Sequence, residues 1–137
     1  MSTITVGDAG QRYAERFLKQ KGYKFIERNW RARFGEIDII YQKPVPGGFI
    51  KSLFNRGPRD WVFVEVKTLV NGSTAFQPEN HLNTIKQEKL RRLATAYLHY
   101  KHRPDAGYQI DLVAVDLDEK LELVNIRHYE NVIENNF

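Results

Sequence analysis

The chain contains 137 residues, 42% of them hydrophobic and 28% charged, the composition of an ordinary globular protein long enough to form one hydrophobic core. It has no cysteine, which excludes disulfides, thiolate nucleophiles and cysteine zinc sites, and no apolar run approaches the roughly 20 residues that span a bilayer. The net charge of +4 permits a polyanionic partner without requiring one. From this length we expect a single domain over residues 1–137. Because the N-terminus lacks a signal-peptide pattern, we expect the protein in the cytoplasm.

The first predicted element is a helix from Gly7 to Lys21, followed by Gly22, a residue typical of helix C-caps. One face of this helix carries the apolar residues Ala9, Tyr13, Ala14, Phe17 and Leu18. Residues 23–30 suit a first strand, and a turn over 31–35 leads into a second strand over about 36–42.

Residues 43–60 interrupt this pattern with three prolines, three glycines and four basic residues against the single acid Asp60, which predicts a loop or an extended hairpin tip. Two interpretations of this segment are open: a basic arm that binds a nucleic-acid backbone, or an insertion that the fold tolerates. A third strand is predicted over about 61–69. If the second and third strands form an antiparallel hairpin about the midpoint of this loop, Asp38 lies opposite Glu65.

The longest periodic segment predicts a helix from about 82 to 102, which is ended by Pro104. Strands over about 108–116 and 120–126 follow, and a polar tail that begins near His128 closes the chain. The predicted order is therefore helix, three strands, helix and two strands, which is an α/β fold.

Two short strings place charges inside apolar strands: Gly35–Ile40, with Glu36 and Asp38, and Phe63–Lys67, with Glu65. Buried carboxylates are unfavourable unless they are paired or bound to a cation. Side chains two apart share a strand face, so Glu65 and Lys67 point the same way, and Asp38 is expected roughly 5 Å from Glu65. Two such carboxylates repel by about 3 kcal/mol at an effective dielectric of 20, which favours a divalent cation.

These residues predict a site in which Asp38, Glu65 and the Val66 carbonyl hold Mg²⁺ or Mn²⁺. Such a metal polarises a phosphodiester and activates water, while Lys67 orients that water or stabilises charge in the transition state. The alternative is that Glu65 and Lys67 lie on the solvated face of an edge strand. The preceding acidic strand, with Glu36 and Asp38, favours the active site.

The same residues, taken in order, resemble the PD-(D/E)XK nuclease superfamily, and most closely its YraN-like branch, bacterial proteins similar in fold to archaeal Holliday-junction resolvases. The resemblance covers nearly the whole chain and rests on Lys21–Tyr23, Glu27–Arg31, Gly35–Asp38, Phe63–Lys67, Lys86–Leu90 and Ile110–Val115. It implies a restriction-endonuclease-like core in αβββαβ order, with helices that flank a mixed central sheet.

The resemblance also implies a metal-dependent endonuclease, a hydrolase of phosphodiesters that acts on DNA rather than RNA, in branched or single-stranded form. Asp38 and Glu65 would be the metal ligands and Lys67 the catalytic lysine. Lys86 and Gln87 would lie beside the site, whereas Asp111 matches a family aspartate to which we assign no role. Resolvase-like relatives suggest a homodimer.

The chain departs from the family pattern at three places. Gln11 stands where the family usually has a glutamate, so the acidic set lacks one charge unless Glu15, one turn further on, replaces it. Leu69 occupies a position that is often basic, and the segment 43–60 is longer than the usual hairpin.

The second helix carries the basic residues Lys86, Lys89, Arg91 and Arg92, which together with Arg33 are candidates for nucleic-acid binding or for a solvated face. His99 and His102 lack a third zinc ligand, and Trp30 and Trp61 are expected to pack rather than to stack on bases. Three functions stay open: a DNA nuclease, a nuclease-fold protein that binds nucleic acid with reduced cleavage, and a protein–protein module.

Overall fold

A five-stranded mixed β-sheet forms the centre of the protein, whose structure is a computed structural model that describes residues 3–44, 60–71 and 82–133. The elements in chain order are helix α1 (Val6–Gln20), strands β1 (Lys24–Ala32), β2 (Gly35–Gln42) and β3 (Trp61–Val70), helix α2 (Thr84–Tyr100), and strands β4 (Tyr108–Leu117) and β5 (Leu123–Tyr129). The predicted loop 43–60 lies, apart from its ends, outside the described residues.

The five described strands lie side by side in sequence order, with β3 and β4 parallel and the other three neighbouring pairs antiparallel. A parallel pair needs a long crossover connection, and α2 lies within it. The α/β class, the αβββαβ order and the mixed sheet flanked by helices are confirmed, and the arrangement is compatible with a restriction-endonuclease-like core.

The two helices cover opposite faces of the sheet with separate apolar clusters. On the α1 side, Ala14 and Leu18 pack with alternate strand residues such as Val62 and Val64. On the α2 side, Leu93, Tyr97 and Leu98 pack with Trp61, Phe63 and Ile110. This alternation along β3 is the period of two that a sheet buried on both faces requires. Trp61 is buried and the Trp30 ring packs edge-on against Tyr97 at 5.2 Å, so both tryptophans have packing roles.

The register between β2 and β3 is the predicted one, with Ile39 opposite Val64 and Gln42 opposite Trp61. Pairing between these strands stops at Ile39, one residue before Asp38 and Glu65 would meet. Beyond that point β2 stays paired with β1, while β3 stays paired with β4 as far as Val70. The sheet therefore divides into two halves at Asp38 and Glu65, and we call this division the fork.

Both helices have capping residues that their sequences supply. Thr5 caps α1 by accepting a hydrogen bond from the Asp8 amide at 3.1 Å, and Asn83 caps α2 by accepting one from the Lys86 amide at 2.9 Å. Gly22, after the end of α1, has a φ of +92°, the left-handed conformation expected of a C-cap glycine. Within the described residues, neither helix is long and apolar enough to cross a bilayer.

The end of the chain differs from the prediction. The last strand begins at Leu123 rather than near residue 120, because the Asp118 carboxylate accepts hydrogen bonds from the amides of Lys120 and Glu122 and so closes a turn. His128 consequently belongs to β5 and not to a polar tail. The second helix is also shorter at each end than predicted, since Asn83 caps it and Lys101 follows its last residue.

Candidate metal-dependent active site

The fork opens into a cleft of about 480 Å³ between the N-terminal turns of α1 and strands β1, β2 and β3. Six of the residues predicted for the site line this cleft: Gln11, Glu36, Asp38, Glu65, Val66 and Lys67. They come from three different elements, and the division of the sheet brings them together. The alternative in which Glu65 and Lys67 lie on an edge strand is wrong, because β3 is the central strand of the sheet.

The Asp38 carboxylate is held by the backbone of the neighbouring strand β3. Its Oδ2 accepts a hydrogen bond from the Val66 amide at 2.8 Å, which replaces the backbone pairing lost at the fork. Burial raises the pKa of Asp38 to about 7, with further contributions from the charges of Glu65 and Glu36, against the lowering effect of the Val66 amide and Lys86. A carboxylate with so high a pKa carries its negative charge at neutral pH most readily beside a cation.

Gln11 forms hydrogen bonds that connect α1 to the strands of the site. Its amide nitrogen donates to the Asp38 carbonyl at 3.3 Å and to Asn29 Oδ1 at 3.0 Å, so α1 is attached to β1 and β2 at the fork. Close by, Gly10 brings α1 against Thr68 of β3, where an added Cβ would collide with the threonine side chain. These contacts fix the distance between α1 and the sheet, but Gln11 brings no charge.

Glu15 does not replace the missing carboxylate. Both of its oxygens accept hydrogen bonds from the Arg28 guanidinium, at 2.8 to 3.2 Å, and its side chain is 9% exposed. This bidentate pair belongs to a separate groove between α1 and β1. The chain therefore departs from the implied acidic set at this position.

Two charged residues of the cleft escaped the sequence analysis. Asp8 lines it from the first turn of α1, where an acid is so common that it carries no functional signal. Arg31 also lines it and pairs with Glu36 at 3.0 Å. The pair of Arg31 and Glu36 could have been predicted from the sequence, since the two-residue turn between β1 and β2 sets Arg31 directly opposite Glu36.

The remaining predicted residues lie outside the cleft lining, on the α2 side. Lys86 is near enough for its charge to lower the pKa of Asp38. Lys89 lies against Gly35, and the Arg92 guanidinium lies 4.6 Å from the centre of the Phe34 ring. Exposed Arg33 belongs to the same turn between β1 and β2. We call Lys86, Lys89, Arg92 and Arg33 the α2 basic surface.

Gln87 has a local contact instead of a place in the cleft. Its side-chain nitrogen donates to the Leu82 carbonyl at 2.8 Å, immediately before the N-terminus of α2. The residue therefore stabilises the entry into the helix that carries the α2 basic surface.

Asp111 lies away from the cleft, in a buried network that explains its presence in β4. It is fully buried and accepts hydrogen bonds from Gln109 Nε2, from the Asn131 amide and from His128 Nε2, at 2.7, 2.9 and 2.7 Å. Lys21 Nζ lies 2.7 Å from His128 Nδ1, and because an ammonium only donates, His128 accepts at Nδ1 and donates at Nε2. His128 therefore has a side-chain partner at each ring nitrogen, Lys21 and Asp111.

Asp111 and His128 also lie near Glu130, with ligand atoms of the three residues within 4.8 Å of one another. Hydrogen bonds already engage these atoms, since Tyr23 donates to Glu130 at 2.7 Å. We therefore interpret this cluster, the Asp111 cluster, as a structural tie between β4, β5 and the end of α1.

Comparisons with known proteins agree on one family. The sequence model of a family described as "Uncharacterised protein family UPF0102" matches residues 10–115, a segment that contains both the cleft residues of β2 and β3 and Asp111. A UPF0102 protein of Thermodesulfovibrio yellowstonii is 34% identical over 96% of this chain and 97% of its own length. One of Caldicellulosiruptor saccharolyticus is 31% identical over the full length of both chains, and one of Shewanella pealeana is 36% identical over 82% of this chain and 86% of its own.

Proposed function

This chain belongs to the uncharacterised protein family UPF0102, and from its cleft we propose that it is a divalent-metal-dependent nuclease of the PD-(D/E)XK superfamily that hydrolyses phosphodiester bonds in DNA. One observation carries the proposal: Asp38, Glu65 and Lys67 line a single cleft at the fork of the sheet. Three charged side chains at the end of buried strands cost stability, which is expected where a site requires them.

The donors in the cleft suit a hard cation. The carboxylates of Asp38 and Glu65 and the carbonyl of Val66 offer oxygen ligands, and the open cleft leaves room for the waters that Mg²⁺ retains. Mg²⁺ or Mn²⁺ bound there supplies Lewis-acid polarisation of the phosphodiester and an activated water. The raised pKa of Asp38 supports this assignment, because a cation relieves the repulsion that Glu65 and Glu36 impose on it.

The chain itself supplies positioning and positive charge. Lys67 follows Glu65 by two residues on β3, so both side chains project from the same face of the strand. Its ammonium can orient the attacking water and stabilise the charge that develops on the phosphate. Gln11 donates a hydrogen bond to the Asp38 carbonyl, and the Val66 amide donates one to the Asp38 carboxylate. The Asp38 carboxylate is therefore oriented before a metal ion binds.

DNA is the substrate class that we favour, in single-stranded or branched form. The α2 basic surface borders the turn that leads into the cleft, where it can neutralise phosphates on one side of the scissile bond. A second function, nucleic-acid binding with reduced cleavage, is favoured by a specific observation: Gln11 brings no carboxylate to the cleft, and Glu15 is engaged by Arg28.

The experiment that tests the proposal is cleavage of linear, single-stranded, flap and four-way-junction DNA, and of RNA, in the presence of Mn²⁺. Wild type, Lys67→Ala and Gln11→Glu are purified in parallel. We expect cleavage of at least one DNA by the wild type and a loss of about 10²-fold or more in Lys67→Ala, since one positioned charge in a transition state is typically worth that much. A contaminating nuclease would be unaffected by the substitution.

The outcomes separate the two candidate functions. Equal cleavage by wild type and Lys67→Ala would contradict the nuclease assignment. DNA binding without cleavage in the wild type, combined with cleavage by Gln11→Glu, would establish the alternative in which the missing carboxylate limits activity.

A further inference from the structure

A second concave surface adjoins the cleft on the face of the sheet that α1 covers. This groove, about 700 Å³ in volume, runs between α1 and β1 and shares Asp8, Gln11 and Asn29 with the cleft. We call it the α1–β1 groove. Four of the residues that line it are cations: Arg12, Arg16, Lys19 and Arg28.

The cations of the groove outnumber its acids. Glu15 is neutralised by its bidentate pair with Arg28, which leaves Asp8, at the end next to the cleft, as the other carboxylate in the lining. Among the described residues, no carboxylate lies within ion-pair distance of Arg12, Arg16 or Lys19. The groove therefore offers three exposed positive charges to a ligand.

The three exposed cations of the groove lie along one face of α1. Arg12, Arg16 and Lys19 follow one another at intervals of four and three residues, so they share a face of α1 and span about 10 Å of its axis. Lys19 and Arg28 lie over the Phe25 ring, at 4.8 and 4.7 Å from its centre, which restricts their motion. A span of about 10 Å corresponds to roughly three phosphates of a DNA strand.

We propose that the α1–β1 groove binds the phosphodiester backbone of the DNA strand where it leaves the cleft, opposite the flank held by the α2 basic surface. The inference rests on the proposed function and names the path of the substrate. Continuity with the cleft favours a polymer over a free phosphate, because the groove and the cleft join at Asp8, Gln11 and Asn29. Asp8 is the carboxylate that the two lining sets share, whereas Gln11 brings no charge to this junction.

The test removes two groove charges and compares the result with a matched control. Arg12→Gln/Arg16→Gln is compared with Lys101→Gln/Arg103→Gln, which removes two exposed charges beyond the far end of α2. Binding of a fluorescent 30-nucleotide single strand is measured by anisotropy in EDTA, which prevents metal-dependent cleavage, from 50 to 300 mM NaCl. Circular dichroism melting curves establish that all variants are folded.

We expect the groove variant to bind about tenfold more weakly at 100 mM NaCl, with the slope of log K against log salt reduced by about 1.4, or 0.7 for each lost phosphate contact. The control should change affinity less than twofold. Equal losses in the two variants would overturn the proposal, because net charge alone would then account for them. Displacement of the DNA by polyglutamate at equal charge concentration would also overturn it, because the groove would then accept any polyanion.

The failure of this inference and that of the proposed function are distinguishable. If the wild type cleaves DNA in Mn²⁺ while the groove variant keeps its affinity and its KM, the nuclease stands and the groove does not lie on the path. If the groove variant loses affinity and the wild type never cleaves, the groove stands as a binding surface and the nuclease assignment falls.

Discussion

Asp38 shows at the level of one side chain why this cleft is unfavourable without a cation. Its ordinary pKa is 3.8, and in the folded protein burial and the neighbouring acids raise it to about 7. Between these values the unfolded chain has released the proton and the folded chain retains it, so the unfolded state binds fewer protons and stability falls as the pH rises from about 4 to 7. Above pH 7 the full penalty remains.

Asp38→Asn is expected to stabilise the metal-free protein at pH 8 by about 1 to 3 kcal/mol, because the amide oxygen still accepts from Val66 while the buried charge is gone. The gain should shrink as the pH falls towards 4, where wild-type Asp38 is neutral in the folded state and only partly ionised in the unfolded state. Urea unfolding in EDTA across this pH range measures it, with exposed Asp105→Asn as the control. A gain that is independent of pH would contradict the raised pKa of Asp38.

Among residues, the sequence predicted placements that follow from strand periodicity and not contacts that cross the fold. Asp38, Glu65 and Lys67 could be predicted to lie together because charges interrupt two apolar strands and loop limits set the register of those strands. The pairing of Glu15 with Arg28 joins a helix to an irregular strand, where Asn29 has a φ of +54°, and no local pattern indicates that geometry.

At the scale of elements, the Asp111 cluster connects the parallel centre of the sheet to its last strand. The Asp111 carboxylate, the His128 ring and the Lys21 ammonium form a chain of hydrogen bonds from β4 through β5 to the end of α1. The neighbouring amide of Asn131 extends this chain to the residues after β5. Because the aspartate is fully buried and accepts from three donors, its loss leaves those donors without an acceptor.

Asp111→Asn is expected to lower the free energy of unfolding by about 2 to 4 kcal/mol, because one carboxylate oxygen becomes a donor that faces another donor. Divalent-metal affinity should stay within threefold of the wild type, since Asp111 lies outside the cleft. Urea unfolding and isothermal titration with Mn²⁺ measure the two quantities, and Asp105→Asn again serves as the exposed control. A tenfold loss of metal affinity in the folded variant would show that Asp111 acts on the site.

The boundaries of the elements were predictable wherever hydrophobic periodicity and caps coincide, as at α1, β3 and β4. The start of β5 was predicted too early, because the Asp118 carboxylate accepts hydrogen bonds from two backbone amides and so closes a turn before the strand. Whether this turn forms depends on the strand that follows it. The contact between His128 and Lys21 was not predicted, because the two residues lie 107 positions apart in the chain. Contacts of that range follow from topology and cannot be inferred from composition.

At the scale of the whole molecule, the fork lets one sheet carry both a rigid core and an open site. Strand β3 has neighbours on both sides, so it can lose β2 beyond Val64 and keep its position through β4. Two basic surfaces then lie on either side of the opening, one on α2 and one along α1. A ligand that binds at the fork contacts both halves of the sheet at once.

Mn²⁺ is therefore expected to stabilise the whole protein, by about 2.7 kcal/mol at one hundred times its dissociation constant. Thermal melting with increasing Mn²⁺ measures the effect. Glu65→Gln should abolish it, because a neutral amide replaces the negatively charged carboxylate ligand. Glu130→Gln is the matched control and should respond like the wild type. If Glu130→Gln alone abolished the stabilisation, the ion would belong to the Asp111 cluster instead of the fork.

The hydrogen bond between the Val66 amide and Asp38 makes this one backbone proton an intrinsic probe of the site. The amides that join β3 to β2 nearer the loop face peptide carbonyls, whose charge is fixed, whereas the acceptor of Val66 gains or loses a full unit of charge. Its nuclear magnetic resonance signal thus depends on the ionisation of Asp38 and on any ion beside it. The ionisation of Asp38 can thus be followed at one resonance of the main chain, in the absence of substrate and turnover.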